Sequence, residues 1–104
     1  MPDASGDGER FDVHCSAAVA KELKRLTEGA SPSRRKLIAA AFRQIVQKLQ
    51  TDPMNAGEPL YRLAGLRMQV RMVVVIPLMI DFAVSEDRPL VFIKNGKLLG
   101  TSVF

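Results

Sequence analysis

The hydrophobic period of the chain switches from helical to strand-like near Asp52-Pro53, and that switch constrains the fold more than any other feature. Before it, Leu37, Ile38, Ala41, Phe42, Ile45, Val46 and Leu49 recur at the i, i+1, i+4, i+5 spacing of one helical face, with Arg34, Arg35, Arg43, Gln44, Gln47 and Lys48 elsewhere. Ser31 followed by Pro32 starts this helix, since proline at the first helical position gives up only an amide that had no partner. After the switch, apolar residues alternate with period two. Leu66, Met68, Val70, Met72 and Val74 take one face of a strand and Arg67, Gln69, Arg71, Val73 and Val75 the other. Helix followed by strand is the pattern of an α+β domain.

The flanks fit the same plan. "RFDVHC", residues 10 to 15, alternates Phe11, Val13 and Cys15 against Asp12 and His14, the pattern of a half-buried strand. Ser16 offers an N-cap to a short helix with the stripe Val19, Leu23 and Leu26, and Gly29 supplies its stop. Residues 54 to 65 read as a connection with Gly and Pro punctuation. Pro77 breaks or bends the chain before a strand "LMIDFAV", and "SEDRP" makes a turn. "LVFIK" then runs into Asn95-Gly96, a two-residue hairpin signal because both residues tolerate positive φ, so "KLLG" is expected to fold back. The expected architecture is strand-helix-helix followed by an antiparallel meander of three or four strands, with both helices on one face. The expected facing of the second strand puts Leu66, Met68, Val70, Met72 and Val74 against the helices and Arg67, Gln69 and Arg71 outside.

At 104 residues the chain supplies one core, expected over 10–104, with 1–9 as a disordered acidic leader. One cysteine, Cys15, leaves no internal disulfide framework and fits a reducing compartment, so the cytoplasm is expected. The apolar run "MVVVIPLMI" is less than half as long as a membrane-spanning helix needs, so no membrane partner is expected. The net charge of +4 is unevenly spread. Residues 1–12 carry four acids against Arg10, whereas residues 21–71 hold eleven Lys/Arg against four acids, a net of +7. A basic body suits an anionic partner, either nucleic acid or an acidic protein segment.

Catalytic candidates are few. His14 and Cys15 are adjacent on one strand and point to opposite faces, so they do not form a nucleophile-base pair, while Asp12 and His14 share a face. No phosphate-binding glycine motif, zinc spacing or cofactor signature is present, and no metal is expected. Glu86 and Asp87 are expected to be solvated turn residues. What remains is cationic. Arg62 in the connection, Arg67 and Arg71 on the second strand, and Lys94 and Lys97 flanking the Asn95-Gly96 signal are the nucleic-acid-binding candidates, expected to converge on one face. Guanidinium and ammonium groups there grip phosphates and stabilise the charge of a pentacoordinate phosphate without a metal, which makes Arg67, Arg71, Lys94 and Lys97 the catalytic candidates.

The element order, and the passage "VQKLQTDPMNAGEPLYRLAGLRMQVRM" in particular, resembles the RelE/ParE superfamily of toxins from bacterial toxin-antitoxin pairs. The likeness lies in a helix ending in Leu and Asp-Pro, a "pL..L.G" stretch and then a basic strand, and it extends over roughly residues 10 to 99. The resemblance implies a RelE-type ribosome-dependent mRNA endoribonuclease, with the ribosome and mRNA as partners. The alternatives it implies are a ParE-like non-enzymatic inhibitor of DNA gyrase and an inactive RelE-fold binding protein. In each toxin case it also implies an acidic antitoxin covering the basic face and an exposed sheet edge. The chain departs from the RelE pattern in having no Arg within "VVVIPLMIDF" and no C-terminal Tyr or His.

Overall fold

A computed structural model describes residues 10–99. The expected acidic leader at 1–9 and the last residues of the chain lie outside that range. The described residues form an α+β unit with two helices and a five-stranded mixed sheet. Strand β1 (Asp12–Cys15) leads into α1 (Ala17–Glu28) and α2 (Pro32–Thr51), followed by β2 (Glu58–Leu63), β3 (Met68–Val75), β4 (Leu78–Ser85) and β5 (Leu90–Leu98). The spatial order is β1-β5-β4-β3-β2, in which β2 to β5 are an antiparallel meander and β1 joins the edge parallel to β5.

The helices begin where side chains satisfy orphan amides: Ser16 Oγ accepts from Val19 N at 3.1 Å and Ser31 Oγ from Arg34 N at 3.3 Å. Between them, Arg35 donates to the carbonyls of Ala30 and Glu28, tying the start of α2 to the end of α1. Both helices lie on one side of the sheet. Ala41, Ile45 and Leu49 of α2 share a core with Val73 of β3, with Leu78, Ile80, Phe82 and Val84 of β4, and with Val91 and Ile93 of β5. Val19 and Leu23 of α1 pack against its margin.

Four expectations are corrected. First, residues 58–63 are not a connection but the edge strand β2, paired antiparallel with β3. Pro59 is tolerated because an edge strand has a side with no ladder amide to lose. Second, Asn95-Gly96 makes no hairpin: β5 runs straight through it, with a register shift opposite Asp81/Phe82. Glycine is needed there for close helix packing, since a Cβ at Gly96 would meet Leu23 Cδ2 at 2.7 Å and Ile80 Cδ1 at 2.8 Å.

Third, the antiparallel meander has the expected four strands, but the first strand makes the sheet a mixed one, because β1 is parallel to β5. Fourth, the facing of β3 is reversed. The two-residue link Ile76-Pro77 sets Val75 opposite Leu78, so that Val73 pairs with Ile80 and Arg71 with Phe82. Odd-numbered residues of β3 therefore look toward the helices, and Met68, Val70, Met72 and Val74 look away from them. Leu66 lies outside the strand, in a 3-10 turn at Ala64–Leu66, and is 68% exposed.

Candidate functional site

The five cations singled out from the sequence do not converge. Arg71 is 7% exposed on the helix side of β3, where Nε donates to Ala56 O at 3.0 Å, Nη2 to Gly57 O at 3.2 Å and Nη1 to Gln69 Oε1 at 3.3 Å. It is a structural clamp that closes the loop between α2 and β2 onto the sheet. Gly57 permits the loop to come this close: its φ is +65°, and a Cβ there would lie 1.9 Å from Met72 O.

Arg62 is held in a two-pronged pair with Glu86, Nε to Oε2 at 2.6 Å and Nη2 to Oε1 at 2.7 Å. That hydrogen bonding, followed by the charge of Arg62 itself, holds the Glu86 carboxyl below the ordinary glutamate range. Arg67 adopts a left-handed conformation, φ 53°, at the entry to β3, and its Nε pairs with Asp87 Oδ2 at 3.2 Å. Glu86 and Asp87, expected to be merely solvated, thus neutralise two of the five candidates. Lys94, at the register shift of β5, and Lys97 are exposed, and neither has an ion pair among the described residues.

What sequence reasoning missed is the surface on the other side of the sheet, which neither helix covers. Register places His14 and Phe92 side by side there, with Tyr61 at the far edge and the buried Ala83 (5% exposed) and Val70 (1%) between them. The His14 and Phe92 rings are stacked with centroids 5.4 Å apart at 25°. Val74 and Phe92 are each 40% exposed and Tyr61 53%. Asp81 sits in the middle strand between Met72 and Asn95, and its Oδ1 is buried without a hydrogen-bond partner among the described residues. Lys97, opposite Met79, borders the same face.

The sequence matches no family model and no curated protein.

The two aromatic proton carriers of this face lie far apart. His14 is on one edge strand and Tyr61 on the other, so four strand spacings, about 19 Å, separate the two aromatic proton carriers. They do not serve one scissile bond. Cys15 points to the helix side, and partial burial raises its thiol pKa, which disfavours the thiolate a nucleophile needs. No group of three or more metal-ligating side chains occurs among the described residues. No helix among them is long and apolar enough to cross a membrane. The parity of the β3–β4 link was the signal that would have revealed this face.

Proposed function

We propose that this chain is a toxin-like protein of a toxin-antitoxin pair, of the RelE/ParE kind, acting in the cytoplasm as a binding protein through the open face of its sheet. The observation that carries the binding mode is the placement of the candidate catalytic groups. Arg71 is committed to loop carbonyls, Arg67 to Asp87, and His14 and Tyr61 to opposite edges. An RNA 2′-hydroxyl attack needs a base, an acid and cations around one phosphate, and of the five candidate cations only Lys94 and Lys97 stay free for that role. A ParE-like mode needs only a complementary surface, which the aromatic and apolar open face supplies. DNA gyrase is the first target to test, and an acidic antitoxin encoded beside the gene is the expected partner.

Induced expression in a bacterial host should arrest growth. In purified assays the chain should lower gyrase supercoiling while leaving mRNA intact in a translation extract. Cleaved mRNA would instead establish the endoribonuclease reading, with Lys94 and Lys97 as its first candidates. Normal growth of the expressing host would defeat the toxin assignment altogether.

A further inference from the structure

The helix side of the molecule carries a second surface that the open sheet face does not explain. The apolar stripe of α1 is only partly covered, and no residue of that helix is fully buried. Between α1 and α2 runs a groove of about 460 Å³ whose walls are Leu23 and Leu26 of α1 and Ile38, Ala39 and Phe42 of α2. Phe42 also lines a neighbouring depression with Val46, so the apolar strip continues along α2. The cations beside this strip are Lys24 at the groove and Arg10 and Arg43 at the depression, and no carboxylate lines either. The helices as a whole repeat the bias: α1 has three Lys/Arg against two Glu, and α2 has five against none, a net of +6.

We infer that this groove docks an acidic amphipathic helix of a protein partner, with apolar side chains on the Leu23-Phe42 strip and carboxylates against Lys24, Arg43 and Arg10. An apolar floor with cationic banks is complementary to a helix that repeats apolar anchors at i, i+3, i+4 and i+7 between acidic residues. The positive field of the helix layer attracts such a segment from a distance and disfavours a basic one. The inference rests on the shape and charge of this groove, not on the toxin reading, although an acidic antitoxin segment would belong to this class. Because the groove and the open face are on opposite sides of the sheet, filling one leaves the other accessible.

The test uses the full chain and a fluorescent peptide of about 14 residues, long enough to run the length of α1, with leucines at those spacings and glutamates elsewhere. A matched peptide carries lysine in place of glutamate. The acidic peptide should bind saturably and more weakly as salt rises, with the lysine peptide at least about tenfold weaker. Ala39→Glu, which puts a carboxylate on an exposed position inside the groove, should abolish binding, and Lys24→Glu with Arg43→Glu should weaken it by at least about tenfold. Lys48→Glu, a charge change of two units on the far side of α2, larger than that of Ala39→Glu, should leave it within about twofold. Equal binding of both peptides, no binding of the acidic one, or indifference to Ala39→Glu overturns the inference. So does self-association that Ala39→Glu abolishes, which would make a second copy the occupant. Binding to phosphatidylglycerol vesicles in place of the peptide would make it a lipid surface. Growth arrest in the host is a separate readout, so failure here and failure of the toxin reading remain distinguishable.

Discussion

The two faces of the sheet use the same strands for opposite purposes. Toward the helices, Ile80, Phe82, Val84 and Val91 are all 0% exposed, and Val73 is 4% exposed. On the other side, Val74 and Phe92 remain 40% exposed, although each is flanked in sequence by a core residue. The first face completes its packing within the chain, so its residues contribute stability through burial. The second buries Val70 and Ala83 but leaves Val74, Phe92 and Tyr61 around them in water, exposed apolar surface of the kind that marks interaction sites. The cations divide accordingly. Arg71, on the covered face, is spent on the fold, whereas Lys97, on the open face, stays available to a partner.

The sharpest way to break this comparison is at the covered face. Gly57→Ala forces a left-handed backbone onto alanine and drives a Cβ into Met72 O, so it should cost about 3 kcal/mol or more in urea denaturation. Arg71→Ala should come next, at about 2 to 4 kcal/mol, because it strips the carbonyls of Ala56 and Gly57 of their buried donor. An unchanged midpoint for Arg71→Ala would return this residue to the candidate site. Gly96→Ala meets flexible side-chain ends of Leu23 and Ile80, not backbone, and should cost about 1 to 2 kcal/mol by the same assay.

The smallest effect belongs to the Arg62–Glu86 pair at the sheet's end. The folded-state pKa of Glu86 lies below its unfolded value, so the pair's contribution is present above the unfolded pKa and fades as pH falls through the folded one. Stability of the native chain should therefore drop on acidification in a window below the ordinary glutamate pKa. Glu86→Gln should flatten that part of the pH profile and lower neutral-pH stability by the same small amount that the native chain loses on acidification.

Much of this architecture is legible in the residues, and the failures have identifiable causes. The α2 period and the two serine caps announce the helices because each signal is local and repeated. The face of β3 is not legible from β3 alone: Met72, Val73, Val74 and Val75 are apolar on both sides, so alternation there carries no phase. The missing phase is in β4, whose strict Leu78, Ile80, Phe82, Val84 alternation propagates through the two-residue Ile76-Pro77 link to place Arg71 inside. Asn95-Gly96 misleads because glycine answers to two demands, a positive φ in a turn and room for a helix, and the sequence shows only the residue. β2 hides behind Pro59, which excludes a central strand but not an edge. The candidate site shares these causes, since its cations were assigned by a facing that the hairpin reverses and by a neglect of the acids in the 85–89 turn.

The central claim is that the open sheet face, not the arginine row of β3, engages the target. Val74→Lys with Phe92→Lys removes two of the exposed apolar side chains of that face while replacing no buried residue. The direct measurement is growth of a bacterial host after induction of this double variant, alongside the native chain and with the urea midpoint of each. The account predicts that the native chain arrests growth and that the double variant, folded to a similar midpoint, does not. Growth arrest by a folded double variant equal to that of the native chain would contradict it.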